Sequence, residues 1–365
     1  MANEEKNSEI IEHGDLFFFY RPKIDAKEVK DVENVQRFYM VTCPEKNGKN
    51  ITNRLFLVGQ KQMPEIKEGK SDSKERNWAL NILTTPNSED VRKELLPAEY
   101  TTETRGTRRV GAAVPAGEGK YSIVKHDNHT ELAYILELPN TPGPTQREFE
   151  IKKEASYIIS VKNPNVTVPG YAAFSDENRK PDYPKHLKES FGNRRWIDVE
   201  DSKLLNYENT QLLLIGARKE HVEEELGINI NEERETEKSA DLFKELKIRK
   251  EQIAVKPFIQ GRFPEEEEVP LAAEVRHLSK EEYPGGKGGK SGGRVAATKA
   301  ASAAAIAKIL SGIDLPKNKE EVVAYAKKNK EEVESAQQVI ATINEIPNRK
   351  YYTMAEIEKA VGEIR

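Results

Sequence analysis

A glycine-rich stretch, Pro284 to Gly293 (PGGKGGKSGG), divides this chain into two parts of different composition. Upstream of it, short apolar runs alternate with turn residues, which is typical of β-strands. Downstream, residues 294–365 are rich in Ala, Lys and Glu, which predicts helices alone. Because Gly-rich sequence behaves as flexible coil, we predict two modules joined by a linker over residues 284–293.

The same stretch partly fits a phosphate-binding P-loop, which requires Gly, four residues and then Gly-Lys-Ser or Gly-Lys-Thr. Gly289, Lys290 and Ser291 fit the end of that pattern, but Pro284 occupies the position of the first glycine. The residues before it, LSKEEY, do not form the apolar strand that a P-loop follows. We therefore interpret the stretch as a linker.

The charge is distributed unevenly along the chain. Of the 365 residues, 33% are charged, but the net charge is only -4, so the whole chain carries no signal for a polyanionic partner. Residues 220–282 contain 18 acidic and 10 basic residues. Residues 284–310 contain five basic residues and no acidic one. This basic arm could attract the acidic segment before it or a polyanion.

The single cysteine, Cys43, excludes an intrachain disulfide bond. The first residues, MANEEKNSEIIEHGD, lack the basic and apolar regions of a signal peptide. No apolar run approaches the ~20 residues that span a bilayer. We expect a cytoplasmic protein with no membrane partner.

Apolar runs predict a β-rich domain over residues 13–217, after a solvated tail over residues 1–12. Strands are predicted at residues 16–20, 37–43, 54–59, 78–83, 121–124, 133–138, 156–161 and 211–215. Several runs, such as LFFFY, are continuously apolar, which favours strands buried on both faces. Asp127 and Asn128 favour a tight hairpin turn. Few long helical periods interrupt the strands, so the predicted fold class is α+β and mainly antiparallel.

Helical patterns resume after the β-rich part. Residues 218–283 predict a helical and extended strap packed on the β-rich domain, with short helices near 219–226 and 239–251 and with Thr236 or Ser239 as a cap. Residues 294–365 predict a small all-α bundle. Its helices cover residues 295–310, 318–329 and a stripe through 333–343, followed by a last helix opened by Thr353 and Glu356. Asn318 and Glu321 have the spacing of a capping box.

The C-terminal 60 residues resemble a prokaryotic domain-of-unknown-function family of small helical modules. The matching residues are Leu310, Gly312, Ile313, Leu315, Pro316, Lys319, Glu320, Ile346, Pro347, Arg349 and Tyr351. The resemblance implies a fold and no activity, and this chain departs from the family by the insert KKNKEEVESAQQ. The segments GDLFFFYRPK, YILELP, SYIISVKNP and FGNRRW are similar to an uncharacterised prokaryotic family of β-rich proteins, which covers residues 13–217 and implies no mechanism.

Arginines beside aromatic residues are the strongest binding candidates, because guanidinium groups match phosphate and aromatic faces stack bases. The alternative is ordinary surface arginines with a tryptophan in the core. The binding candidates are Tyr20, Arg21, Arg105, Arg108, Arg109, Arg194, Arg195, Trp196, Lys287, Lys290 and Arg294.

The sequence does not predict a metal site, a cofactor site or a catalytic nucleophile. His126 and His129 bracket Asp127 at the hairpin turn, and such a pair with a carboxylate suits a metal ion. We find no third ligand of the usual kind nearby, so we interpret them as turn residues. Cys43 has no paired base in the local sequence, and we interpret it as a buried small hydrophobe.

The sequence thus predicts a non-enzymatic binding or adaptor protein whose partner is a nucleic acid or a nucleoprotein assembly. The C-terminal module could contact another protein, and no cofactor is expected. One alternative is an enzyme that acts on a small phosphorylated or nucleotide substrate in a cleft of the β-rich domain. Another is a protein–protein scaffold.

Overall fold

The computed structural model describes residues 8–24, 29–45, 52–67, 73–102, 106–126, 128–166, 180–269, 275–277, 309–330, 336–352, 356–357 and 360. The chain divides into two compact units, Met1–Gly289 and Lys290–Arg365. The predicted linker at residues 284–293 lies outside the described residues, as do residues 295–308 of the next predicted helix. The linker therefore stays a prediction.

The N-terminal unit contains twelve described strands. They are β1 (Ser8–Pro22), β2 (Val35–Pro44), β3 (Asn53–Val58), β4 (Arg76–Thr85), β5 (Ala98–Thr102), β6 (Gly106–Val110), β7 (Val114–His126), β8 (His129–Leu138), β9 (Glu154–Lys162), β10 (Trp196–Asp198), β11 (Gln211–Arg218) and β12 (Arg276–His277). Its helices are α1 (Ser88–Leu95), α2 (Pro144–Glu148), α3 (Lys185–Phe191), α4 (Val222–Leu226), α5 (Asp241–Glu245) and α6 (Lys256–Gln260).

Eight of these strands form one closed, barrel-like antiparallel sheet. Its order is β1, β2, β3, β4, β11, β9, β8 and β7, and the pairing of β7 with β1 closes the sheet. The short strand β10 pairs with the last residues of β9, beyond the part of β9 that pairs with β8. A second, three-stranded sheet has the order β12, β5, β6. The predicted fold class, α+β with a mainly antiparallel β-rich body, is confirmed.

Each apolar run that predicted a strand lies in an observed strand, apart from Gly59 just after β3. The run LFFFY shows why its apolar character is continuous: Phe18 and Tyr20 pack in the interior of the closed sheet, whereas Phe17 and Phe19 pack on its outer face. Strands β5, β6, β10 and β12 were not predicted. They are too short, at two to five residues, to show a clear apolar pattern, and tertiary pairing makes them strands.

Aromatic side chains fill the interior of the closed sheet. The ring of Phe149 stacks on Tyr20 at 5.0 Å and on Phe38 at 5.1 Å between centroids. The rings of Phe18 and Tyr134 meet edge to face at 5.4 Å. A closed sheet of eight strands has an interior just wide enough for its side chains, which is how this one is packed.

The outer face of β1 to β3 is covered by a segment that we call the covering segment, residues 230–260. Its Leu242, Leu246 and Phe258 are fully buried in one cluster with Phe17 and Phe19. Helix α5 begins at Asp241 after Ala240, which offers no capping side chain. The sequence predicted Thr236 or Ser239 as the cap; instead, these two side chains bond to each other within a turn.

The C-terminal unit contains helices α7 (Lys319–Lys328) and α8 (Ala336–Glu345) and a pair of two-residue strands, β13 (Lys317–Asn318) and β14 (Lys350–Tyr351). The predicted capping box opens α7: Glu321 N donates to Asn318 Oδ1 at 2.9 Å, and Asn318 N donates to Glu321 Oε2 at 2.8 Å. Val322, Val339 and Ile343 are fully buried in the core of this unit. Thr353, the other predicted cap, lies outside the described residues.

One ion pair is buried inside the closed sheet. The Arg54 guanidinium, 1% exposed, donates to both carboxylate oxygens of Glu12 at 2.6 and 2.7 Å. Its Nε donates to Asn206 Oδ1 at 2.7 Å, and Tyr121 Oη donates to Glu12 at 2.7 Å. Burial by itself would raise the pKa of Glu12, but the hydrogen bonds and charge of Arg54 hold it below its usual value.

We predict that Glu12→Gln destabilises the N-terminal unit by about 3–5 kcal/mol, because it leaves the Arg54 charge buried without a counterion. Urea denaturation followed by tryptophan fluorescence measures the free energy of unfolding. The matched control is Glu45→Gln, whose exposed pair with His13 should contribute about 0–1 kcal/mol. Equal losses in the two variants would contradict the prediction.

Candidate functional site

The structure places Tyr20 and Arg21 inside the N-terminal unit. Tyr20 is fully buried in the aromatic interior. Arg21 is 4% exposed, and its guanidinium donates to the carbonyl oxygens of Glu94 at 2.6 Å, Leu96 at 3.2 Å and Gly111. Arg21 thus satisfies backbone carbonyls where α1 ends and where β6 leads into β7, and neither residue is placed to face a nucleic acid.

The remaining candidate arginines that the structure describes form two separate groups. Arg108 and Arg109 lie on β6, which leads into the start of β7. Arg194 and Arg195 precede Trp196 on β10, which pairs with the end of β9. Because β7 and β9 both run antiparallel to β8, the start of β7 and the end of β9 lie at opposite ends of the closed sheet. The structure therefore does not bring the two groups together.

Three of these four arginines are exposed, and Arg108 is half-buried. Arg109 is exposed, and its Nε lies 3.9 Å from Glu99 Oε1. Arg194 Nη2 donates to the carbonyl of Ser190 at 2.8 Å. Arg195 is exposed beside a half-buried Trp196. Arg105, Lys287, Lys290 and Arg294 lie outside the described residues.

A cavity of about 460 Å³ lies on the outer face of the closed sheet, between β1, the end of β2, β7 and the covering segment. Its charged lining consists of five carboxylates, one lysine and one histidine: Asp15, Glu45, Glu233, Asp241, Glu245, Lys120 and His13. Clefts of this size are typical of small-molecule sites. We take this cavity as the candidate functional site.

Lys120 is the central cation of the cavity. Strand pairing places it opposite Asp15, and its Nζ donates to Asp15 Oδ1 at 2.6 Å and to Asp241 Oδ2 at 2.7 Å. Burial by itself would lower the pKa of Lys120, but hydrogen bonds to the two aspartates raise it above its usual value. Lys120 is therefore held in its charged form, and its charge is neutralised by side chains of the protein.

Two buried carboxyl groups lie next to this ion pair. Glu118, 1% exposed, accepts hydrogen bonds from the backbone N–H groups of Asp241 at 3.2 Å and Leu242 at 2.8 Å. It thereby caps α5 from a distant strand. Burial, with the neighbouring charges of Asp241 and Glu235, raises the pKa of Glu118 to about 8.

Glu137 holds the covering segment in the same way. Its carboxyl group, 2% exposed, accepts from the backbone N–H of Glu233 at 2.6 Å, and burial raises its pKa to about 7. Glu235 is 4% exposed, and its Oε2 is buried without a hydrogen bond among the described residues. The region thus contains more carboxyl groups than cations, and two of these groups, Glu118 and Glu137, retain protons because they are buried and lie near other negative charges.

Sequence reasoning did not find this site. Asp15, Lys120 and Asp241 come from segments more than a hundred residues apart, and no local motif contains them. The available signal was charge inside apolar strands: Asp15 precedes LFFFY, and Glu118 and Lys120 interrupt β7. Strand register, which only the fold determines, places Asp15 beside Lys120.

Together, the fold and the cavity define an α+β protein in which a closed antiparallel sheet carries an acidic cleft on its outer face. Residues 301–358 match the model of a family described as a protein of unknown function, DUF2795. This match confirms the predicted resemblance of the C-terminal residues to a domain-of-unknown-function family. No curated protein and no solved structure matches the chain. The resemblance of residues 13–217 to a β-rich family stays a prediction.

None of the helices in the described part of the chain combines the length and the apolar character needed to cross a membrane.

We predict that stability falls as the pH rises from about 5 to 8, in part because of Glu118. Its pKa is about 8 in the folded protein and near 4.5 in the unfolded chain, so the folded state binds a proton that the unfolded state has released. Glu118→Gln cannot titrate, and its single carbonyl oxygen can still accept from the backbone N–H of Leu242, although the bond from Asp241 to the other carboxyl oxygen is lost. The variant should therefore flatten this fall by about 1–3 kcal/mol.

Urea denaturation at a series of pH values from 5 to 9 tests this prediction. The control is Glu251→Gln, an exposed residue of the same chain that should retain the wild-type slope. A fall in Glu118→Gln as steep as that of the wild type would show that Glu118 is ionised throughout.

Proposed function

We propose that the protein is a non-enzymatic binding protein whose acidic cavity holds a small organic cation, such as a diamine or polyamine. The observation that carries this proposal is the composition of the lining, in which five carboxylates face one lysine and one histidine. Asp15 and Asp241 already neutralise Lys120, and His13 Nδ1 lies 2.6 Å from Glu45. Glu233 and Glu245 remain to attract a ligand.

The protonation of the buried carboxyl groups supports the same ligand class. Burial raises the pKa of Glu118 to about 8 and that of Glu137 to about 7, and the nearby charge of Asp241 adds to both shifts, so these groups retain protons near neutral pH. A bound cation would favour their ionised forms, since an opposite charge lowers the pKa of a carboxyl group. Binding should therefore release protons.

The cavity does not favour the alternative substrates predicted from the sequence. A phosphorylated or nucleotide substrate would bring negative charge to a lining that is already acidic. Catalysis by Lys120 as a nucleophile or base would need its neutral amine, whereas its two ion pairs stabilise the ammonium form. These features support binding rather than chemistry. The proposed location remains the cytoplasm.

The test is isothermal titration calorimetry of the full chain with putrescine and spermidine, and with inorganic phosphate and AMP as anionic comparisons. We expect saturable binding of an amine, with proton release detected as a heat that depends on the buffer. Glu233→Gln and Glu245→Gln should each weaken binding about tenfold, since hydrogen bonds to charged groups contribute about 1.5–3 kcal/mol.

Glu251→Gln, an equal change of charge at an exposed position, is the matched control and should bind like the wild type. Binding of phosphate or AMP but of neither amine would overturn the proposal. Equal loss of affinity in all three variants would also overturn it, because it would indicate general attraction to an acidic protein.

A second candidate function, nucleic-acid binding, is favoured by the end of the sheet that carries β10. There, the exposed Arg195 adjoins the half-buried Trp196, and β10 pairs with β9 alone among the described strands. An aromatic side chain beside a guanidinium is the arrangement on which single-stranded bases stack. In an adaptor, the C-terminal unit would supply a contact to another protein.

We predict that Trp196→Ala weakens binding to single-stranded nucleic acid by about 1–3 kcal/mol per stacked base, with little change in salt dependence. Neutralising Lys287, Lys290 and Arg294 together should lower the slope of log affinity against log salt by roughly 2–3, because each phosphate contact releases about one counterion. Fluorescence anisotropy with single- and double-stranded DNA and RNA at several salt concentrations measures both effects. Arg249→Gln, also exposed, is the control, and absence of wild-type binding at low salt would exclude this candidate.

A further inference from the structure

Three potential metal ligands meet where β7 and β8 form their hairpin. His126, the last residue of β7, pairs directly with His129, the first residue of β8, and their ring centroids lie 5.6 Å apart. His129 Nε2 lies 2.8 Å from Glu131 Oε1. One ligand atom from each of the three residues falls within 4.8 Å of the other two.

The strand pattern explains why these side chains converge. Residues two apart on a strand point to the same face, so His129 and Glu131 share a face of β8. Cross-strand pairing adds His126 to the same group. The third ligand that the sequence analysis did not find is therefore Glu131, and the i, i+2 spacing from His129 is the signal that could have revealed it. Asp127, between the histidines, lies outside the described residues.

An ion pair with a residue of β11 holds Glu131 in place. Its side chain is fully buried, and Oε1 forms an ion pair with Nη1 of Arg218 from β11. The other oxygen, Oε2, is buried without a hydrogen bond among the described residues. His126 is 8% exposed, whereas the His129 side chain is 29% exposed, so the group is open to solvent on the His129 side.

We propose that His126, His129 and Glu131 form a binding site for Zn²⁺ or a similar divalent transition-metal ion. Two imidazoles and one carboxylate form a donor set that suits zinc, and three protein ligands leave a fourth position for water or an external ligand. Ligands at about 2.0–2.2 Å from one ion lie roughly 3.3 Å apart, so binding requires a small closure of the side chains. Arg218 is the positioning residue, because it orients Glu131 without ligating the metal.

The geometry separates this site from the acidic cavity. The cavity lining contains none of the three ligands. Ile135 also lies on β8, but farther from the hairpin than Glu131 does, and it packs in an apolar cluster with Val222, Leu226 and Ile230. Metal binding and amine binding can therefore succeed or fail independently.

The test is a titration of the metal-free full chain with Zn²⁺ by calorimetry, and with Co²⁺ by visible absorption. We expect one ion per chain and an absorption typical of four- or five-coordinate Co²⁺. His126→Ala and His129→Ala should each weaken Zn²⁺ binding at least tenfold. Arg218→Lys should retain the stoichiometry and weaken binding less than either histidine variant, because Arg218 orients the Glu131 carboxylate and does not ligate the metal.

His221→Ala is the matched control. His221 also lies beside a carboxylate, with Nδ1 3.6 Å from Glu224 Oε2, but its side chain is 74% exposed. This variant should bind Zn²⁺ like the wild type, and circular dichroism should show that every variant is folded. His129→Asn replaces His129→Ala if the latter unfolds. Absence of stoichiometric binding, or binding that survives in both histidine variants, would overturn the proposal, as would loss in His221→Ala alone.

Discussion

The pairing of β7 with β1 and of β9 with β8 closes the main sheet, and the rest of the N-terminal unit depends on this closure. Closing a sheet leaves no unpaired edges along its strands. It also creates an interior only as wide as its own side chains, here filled by rings such as Phe18, Phe38 and Phe149. The charged cavity and the three potential metal ligands therefore both lie outside this aromatic core.

Two kinds of contact hold the covering segment on the outer face of the closed sheet: apolar packing, and hydrogen bonds from its backbone to buried carboxyl groups. Leu242 and Phe258 supply apolar packing. Glu118 and Glu137, however, accept hydrogen bonds from the covering segment at Leu242 and Glu233. A buried carboxyl group that accepts such bonds fixes the position of the segment, and it also couples that position to pH and to nearby cations.

The excess of carboxyl groups over cations links the structure to the proposed function. Asp15 and Asp241 are satisfied by Lys120, whereas Glu118 remains protonated near neutral pH. A site that is short of positive charge attracts cations and rejects anions. A nucleic acid, the partner predicted from the sequence, would instead bind the surface near Arg195 and Trp196. The acidic cavity favours a cationic ligand, whereas that surface favours an anionic one.

The sequence by itself determined the local elements: the continuously apolar strands, the β7–β8 hairpin and the capping box of Asn318 and Glu321. These depend on side-chain period, turn chemistry and short-range hydrogen bonds, which a sequence displays directly. Only the tertiary structure decided that the sheet closes, that Arg21 is buried, that the arginine groups lie at opposite ends and that Asp15 meets Lys120. The physical reason is strand register: side chains distant in sequence become neighbours through backbone pairing, and no local pattern specifies which strands pair.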